Sequence, residues 1–247
     1  MMLFVRSLLF HLSMWITLAI YIPIAVVLIL PLSRNGRYQV LSLWPKYHTW
    51  LLKVLCRLEY QVQGREHLPK TAAIVLAKHQ STWETFAFNA IFPPQTWVLK
   101  RELLWVPFFG WGMALLHPIA IDRGAGRQAM EQLVQQGREQ LKSGLWVIIF
   151  PEGTRIPANK RGRYKLGGAV LAKETGYPIV PVAHNAGSFW PRKGFFIRPG
   201  VIKVVIGPMI QNTSHSAEDL RVETENWIET QMQVLEGRTG PAELVVR

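Results

Sequence analysis

From Ser7 to Ser33 the chain carries no charged side chain, and these 27 residues read SLLFHLSMWITLAIYIPIAVVLILPLS. The stretch is longer than the ~20 apolar residues that cross a bilayer core. Such a run has to be covered by lipid or by protein. Arg6 precedes it, as in a secretory leader, but the run outlasts the ~7–15 residues of a leader's apolar region. The PLSRNGRYQ that follows offers no small-x-small cleavage site. The segment is therefore expected to be embedded in a membrane. Arg34, Arg37 and Lys46 lie after it, so the rest of the chain is expected in the cytoplasm, on the inner membrane if the source is bacterial.

The next segment, Tyr38 to Leu58, has another character. Leu41, Leu43, Trp44, Tyr47, Trp50, Leu51, Val54, Leu55 and Leu58 recur at helical spacing, while Lys46, Lys53 and Arg57 mark a polar side. Tryptophans and cations on an amphipathic helix suit the membrane interface; a core helix has the same periodicity. Pro23 and the polar His11, Ser13 and Thr17 also leave two arrangements open: the first segment spans the bilayer, or the two segments form a hairpin dipping into one leaflet. Either way, residues 1–58 are expected to be anchoring helices and residues 59–247 a cytoplasmic domain.

The charge balance bears on partners. The formal charge is +12, yet only 18% of residues are charged and 49% are hydrophobic, against the ~25% charged of ordinary soluble domains. A disordered basic tail and a soluble nucleic-acid binder are both poor fits. Residues 1–58 hold six bases and no acid, whereas residues 204–247 hold three bases and seven acids. A basic N-terminal side and an acidic C-terminal side would orient an enzyme on an anionic membrane. Cys56 is the only cysteine, which excludes an internal disulfide and any multi-cysteine metal site.

Beyond Glu59, short β-branched runs alternate with helical patterns. Expected strands are Ala72–Ala77, Thr96–Leu99, Pro118–Ile121, Leu145–Phe150, Ile179–Ala183 and Val201–Ile206. Expected helices are Gly126–Lys142, Gly168–Thr175 and, capped by Ser216, Ala217–Leu235. The alternation argues for an α/β fold: a mostly parallel sheet flanked by helices, preceded by the membrane-embedded helix or hairpin. Ligands in such folds bind beyond the C-terminal ends of the strands. The loops there carry Lys78-His79-Gln80-Ser81-Thr82-Trp83-Glu84, Lys100-Arg101-Glu102, Asp122-Arg123-Gly124, Pro151-Glu152-Gly153-Thr154-Arg155 and His184-Asn185.

Of these, His79 and Glu84 invite an acid–base reading. Five helical residues advance ~500°, about 140° off the starting face, so the two would not meet on a regular helix. They meet if His79 sits in the strand-to-helix loop and Glu84 in the first turn behind it. The carboxylate would then fix the imidazole tautomer and support its charge. Alone the spacing has little specificity, since a capping histidine and a solvated glutamate share it. No His/Cys/carboxylate cluster has convincing zinc spacing.

The surrounding blocks add specificity. The stretch from His79 to Glu84 resembles the His-x4-Asp block of the glycerolipid acyltransferase family, whose type member acylates lysophosphatidic acid. Phe150-Pro151-Glu152-Gly153-Thr154-Arg155 matches that family's phosphate-binding block, and Lys100, Pro107-Phe108-Phe109-Gly110-Trp111 and Ile121-Asp122-Arg123 resemble its second. Val180-Pro181-Val182-Ala183-His184 looks like its fourth. Together they cover about residues 60–210. The departure is Glu84, where the family usually has Asp; one added methylene keeps the carboxylate and puts the relay geometry in question.

The resemblance implies an acyltransferase acting on 1-acylglycerol-3-phosphate, with an acyl-carrier-protein or coenzyme A thioester as co-substrate and no bound cofactor or metal. It implies catalytic roles for His79 and Glu84 and a phosphate seat drawn from Lys100, Arg123, Glu152, Gly153, Thr154 and Arg155. The chain has no G-x-S-x-G elbow, and Cys56 falls outside the motif cluster, so direct transfer without an acyl-enzyme is expected. A salt bridge between Arg155 and Glu152 is the plain alternative for that arginine. The expected partners are membrane lipid, a lysophospholipid acceptor and the acyl donor, not nucleic acid. Two competing readings are an acyltransferase for another lysophospholipid and a non-catalytic basic membrane- or nucleic-acid-binding protein. The basic loop Lys160-Arg161-Gly162-Arg163-Tyr164-Lys165 is read either as an anion-attracting surface or as a solvated loop.

Overall fold

The computed structural model describes residues 1–122, 124–211 and 216–245. Seven strands form the main sheet: β1 (Leu58–Gln63), β2 (Ile74–Ala77), β3 (Gln95–Lys100), β4 (Ile119–Ile121), β5 (Trp146–Ile149), β7 (Ile179–His184) and β8 (Gly200–Ile206), in the order β1-β8-β7-β2-β5-β3-β4. All neighbouring pairs are parallel except β7 with β8. The short strands β6 (Lys160–Gly162) and β9 (Glu243–Val245) pair separately. Helices α1 (Met2–Leu28), α2 (Arg34–Cys56), α3 (Trp83–Ile91), α4 (Phe109–Leu115), α5 (Arg127–Lys142), α6 (Gly167–Thr175) and α7 (Ala217–Leu235) complete the fold. All four residues of β2 and of β5 are buried. This fits strands covered on both faces by helices, and it explains why they read as unbroken apolar runs.

The expected α/β layering is present, and α7 has the expected bounds: Ser216 caps it through a reciprocal bond with Asp219. The strands β1, β6 and β9 and helix α4 were not expected, while α3 supplies the helix that the His79–Glu84 contact requires behind the loop. The helical spacing runs on to Leu58. Instead Arg57 takes a left-handed conformation (φ 54°), ends α2, and makes Leu58 the first residue of β1. At its other end α2 begins at Arg34, with the Ser33 hydroxyl accepting the Gly36 N–H.

Helix α1 packs along α2 and docks one face on the domain. Phe10 and Leu52 belong to the same buried core as β2 and β5. The polar residues that interrupt the α1 sequence serve this docking. The Ser7 hydroxyl accepts the Ile197 N–H at 3.0 Å, His11 Nε2 lies 2.9 Å from the Phe195 carbonyl, and Thr17 Oγ1 accepts Trp44 Nε1–H at 3.0 Å. Val5, Leu9, Leu12, Ile16, Ile20 and Ile24 face outward. Leu43, Tyr47, Trp50 and Val54 form an exposed stripe on α2, and Trp105 and Trp111 are exposed as well. By length and composition α1 could cross a membrane.

Candidate active site

Strand register brings the two motif loops together. Leu76 of β2 lies beside Ile149 of β5 in a parallel pair. Three residues further along each strand, His79 and Glu152 arrive side by side. Their backbones are pinned: the His79 N–H donates to Glu152 Oε2 at 2.8 Å, and the His79 carbonyl accepts the Ile156 N–H at 2.8 Å. Arg155 is thereby held next to the histidine loop.

Helix α3 begins at Trp83, so His79 sits in the loop and Glu84 in the first turn. His79 Nδ1 lies 2.7 Å from Glu84 Oε1. The same carboxylate accepts the Gln80 N–H at 2.9 Å and the Ser81 N–H at 2.9 and 3.1 Å. These bonds account for the glutamate. Its extra methylene lets the carboxylate reach back over the turn to two loop amides as well as the ring. The Glu84 side chain is wholly buried and that of His79 is 14% exposed. Burial opposes ionisation of Glu84, but the His79 bond, ring charge and Ser81 amide outweigh it and hold the carboxyl below its ordinary value. A carboxylate accepting at Nδ1 fixes the tautomer with its proton there and leaves Nε2 as the basic nitrogen. The Phe150 ring stacks on the imidazole at 3.9 Å and 11°, fixing its plane.

His79 lines a cavity of about 720 Å³, within the range of small-molecule sites. Its polar lining includes His79, Lys100, Gly153, Arg155 and Lys165. Leu18 and Ile22 of α1, Leu41 of α2, Met113 of α4, and Met130 and Leu133 of α5 make the walls apolar. A lining that combines cationic side chains and a histidine with mostly hydrocarbon walls suits an amphiphilic ligand.

The expected seat residues fall into distinct places. Among the described residues, Arg155 forms no ion pair. Burial holds its pKa below the usual value, the Glu84 charge working the other way, and a guanidinium stays protonated regardless. Gly153 adopts φ +67°, and a Cβ there would stand 3.0 Å from Lys165 Nζ; a side chain would intrude on that cation. Thr154 is half-buried beside it. Lys100 is 51% exposed and pairs at 2.7 Å with Glu102 at the rim, a weak surface contact that an anion can displace. Arg123 lies outside the described residues.

Glu152 does not face the cavity. Its side chain is wholly buried and ion-paired with Lys78 Nζ at 2.7 Å, so the alternative pairing with Arg155 is not formed. The basic loop after the motif also differs from either expectation: Lys160 pairs with Glu243, Arg161 with Glu225, and Tyr164 is buried with its hydroxyl donating to Glu229 at 3.0 Å. Lys160, Arg161 and Tyr164 are thus tied down by acids from elsewhere in the fold, while Arg163 and Lys165 are exposed and Lys165 lines the cavity. His184 is wholly buried, Nε2 2.8 Å from the Lys78 carbonyl and Nδ1 accepting the Ala186 N–H, and burial lowers its pKa. It is a neutral packing residue.

Sequence reasoning missed three participants. In sequence Phe150 reads only as part of a motif, Lys165 only as part of a basic loop, and Lys78 only as a loop residue. For Lys78 a signal existed: a lysine directly after an unbroken apolar strand enters the core and needs an acid to meet it.

A mostly parallel α/β sheet that sets a histidine–carboxylate pair, and an arginine with no ion pair among the described residues, on the lining of a largely apolar cavity suits acyl-group chemistry. Residues 59–185 match the family model described as Acyltransferase, and the chain belongs to that family. It is similar to a 1-acyl-sn-glycerol-3-phosphate acyltransferase of Pseudomonas aeruginosa, 44% identical over 237 residues that cover 92% of this chain and 90% of the relative. It is also similar to a 1-acyl-sn-glycerol-3-phosphate acyltransferase of Saccharomyces cerevisiae, 36% identical over 66% of this chain and 55% of that protein. The crystal structure of the 1-acyl-sn-glycerophosphate (LPA) acyltransferase PlsC from Thermotoga maritima shares the fold. Its TM-score is 0.77 at 24% identity, covering 96% of this chain and 98% of that one.

Proposed function

We propose that the protein transfers an acyl chain from a thioester to the free hydroxyl of 1-acylglycerol-3-phosphate, giving phosphatidic acid. One observation carries the reading. His79 is locked by Glu84 at 2.7 Å with Nε2 as its basic nitrogen, and it shares a cavity with Arg155. The names of the relatives support the acceptor and product.

In this reading the acceptor's phosphate sits against Arg155, with Lys165, Lys100 and the backbone at Gly153 and Thr154 around it. Arginine provides the planar fork and the lysines add point charges. Apolar chains lie along the walls from α1, α2, α4 and α5. His79 Nε2 takes the hydroxyl proton as that oxygen bonds to the thioester carbonyl carbon. The tetrahedral intermediate collapses, the C–S bond breaks, and the imidazolium returns the proton to the departing sulfur. Glu84 stays ionised and stabilises the imidazolium. The thiolate is a good leaving group, so positioning and base catalysis dominate; base catalysis typically contributes ~10²–10⁴-fold.

The donor is a coenzyme A or acyl-carrier-protein thioester. The outward apolar faces of α1 and α2, with Trp50, Trp105 and Trp111 exposed beside them, rest in the membrane interface and hold the domain at the cytoplasmic face, where lipid substrates enter.

The test is thiol release by the purified protein with each donor, with and without a panel of lysophospholipid acceptors. Release that depends on 1-acylglycerol-3-phosphate and is at least ten times slower with other headgroups supports the assignment. A preference for another headgroup moves it to a different lysophospholipid, and release that ignores the acceptor refutes it.

A further inference from the structure

The two residues flanking His79 point away from the cavity, and both are held by one helix. Lys78 is wholly buried, with Nζ 2.7 Å from Glu229 Oε1 and 2.7 Å from Glu152 Oε1. Gln80 is wholly buried too. Its Nε2 donates to Glu236 Oε1 at 2.9 Å, its Oε1 accepts the Gly187 N–H at 3.2 Å, and its own N–H donates to Glu84. Glu229 lies in α7 and Glu236 caps its C-terminal end. Seven residues apart, the two return to within about 20° of the same helix face.

Glu236 is out of place by ordinary helix chemistry, because an acid at a C-terminal end opposes the helix dipole. Its side chain is nevertheless only 1% exposed. Arg238 Nε lies 2.9 Å from Oε2, while Oε1 also accepts the Asn159 N–H at 3.0 Å. One buried carboxylate thus ties the histidine loop, through Gln80, to the loop that follows Arg155. Gly187 permits this approach, since a Cβ there would stand 2.9 Å from Gln80 Cβ. None of Gly187, Glu229 or Glu236 lies within residues 59–185, the portion matched by the family model.

We infer that Glu236, acting through Gln80, is a positioning residue that sets His79 and Glu84 in register with the arginine loop, with Glu229 fixing Lys78 on the other side. The inference rests on the acyl-transfer reading for its kinetic consequence but not for its geometry.

The experiment compares E236A, E236D and E236Q in the full-length protein. E236Q keeps an oxygen for Gln80 and Asn159. E236D keeps the charge but withdraws it from Gln80, and it serves where E236A fails to fold. Small displacements of a catalytic group are costly, so E236A and E236D should lower kcat about tenfold with each KM within about twofold. E236Q should retain at least half of the wild-type kcat. Combined with Q80A, E236A should add little to the larger single loss, because both remove the Gln80–Glu236 bond. A folded E236A or E236D with kcat within twofold of wild type overturns the inference. So does a loss that E236Q shares, or multiplicative losses in the double variant.

A second readout needs no acceptor. Mass spectrometry of the peptide carrying His79 gives its rate of modification by diethyl pyrocarbonate. A change of threefold or more in E236A and E236D, restored in E236Q, supports the inference; an unchanged rate overturns it. If the wild type does not acylate 1-acylglycerol-3-phosphate, the functional proposal fails and this readout alone decides the positioning role.

Discussion

Glu84→Gln isolates the charge of the buried carboxylate from its shape. Glutamine is nearly isosteric, and its oxygen can occupy the Oε1 position, keeping the bonds from His79 Nδ1–H, Gln80 N–H and Ser81 N–H. Its amide nitrogen then replaces Oε2, which accepts the second Ser81 contact at 3.1 Å. That change alone is small. The larger effect comes in the transition state, when the ring becomes an imidazolium with no anion behind it. Two unit charges about 4 Å apart at an effective dielectric of about 20 attract by ~4 kcal/mol. Each ~1.36 kcal/mol is a tenfold rate change, so the upper estimate is a ~10³-fold fall in kcat. Relaxation around the wholly buried group lowers this toward ~10²-fold. Neither substrate contacts Glu84 in this account, so both KM values should stay within about threefold. Glu84→Asp keeps the charge but shortens the reach to the loop amides, and it should retain at least a tenth of wild-type kcat. The assay is acceptor-dependent thiol release, with melting temperature as a control for folding. A well-folded Gln variant turning over faster than a tenth of wild type would refute the role given to the carboxylate.

Further outcomes follow from the same geometry. His79→Ala should lower kcat by ~10²–10⁴-fold, measured by the same thiol release; retention of more than a tenth removes the ring from the chemistry. Arg155→Ala should raise KM for the phosphorylated acceptor at least tenfold more than for the thioester, and an equal rise in both would mean structural damage. Lys78→Met strands the Glu152 and Glu229 carboxylates in the core; breaking such a buried pair costs ~3–5 kcal/mol, visible in denaturant unfolding, and a loss below about 1 kcal/mol would contradict the buried network. Burial pushes the Glu152 carboxyl up to about 7 even though Lys78 opposes the rise. Its folded pKa therefore lies above the unfolded value, and the folded state binds the proton more tightly. That contribution is full below the unfolded pKa and is lost as pH rises through about 7. Melting temperature should fall more between pH 5 and 8 in wild type than in Glu152→Gln, and parallel curves would show that Glu152 is not the group responsible.

Much of this protein is legible from local pattern. The uncharged run, the β-branched strands, and α7 with its Ser216 cap are signalled by neighbours in sequence, because periodicity and capping are local physics. His79 and Glu84 were legible for the same reason: the strand ends, the chain turns, and Glu84 falls in the first turn of the helix that follows. The order of the strands was not local. Leu76 pairing with Ile149 is a contact between distant segments, and with the His79–Glu152 and His79–Ile156 bonds it puts Arg155 beside the histidine. The same limit hid β1, whose first residue looks helical until Arg57 turns left-handed, and β6 and β9, which exist only because distant segments pair.

Residue type announced chemistry but not direction. Glu152 and Arg155 stand three apart in one motif, and sequence treats both as seat residues; the fold turns the first inward to Lys78 and leaves the second at the cavity. Lys160 and Arg161 read as free cations until α7 and β9 supply their acids. A charged side chain carries the same sequence signal whether water or a partner neutralises it. Which of the two occurs depends on groups tens to hundreds of residues away, and only the closed tertiary structure brings them within a few ångströms.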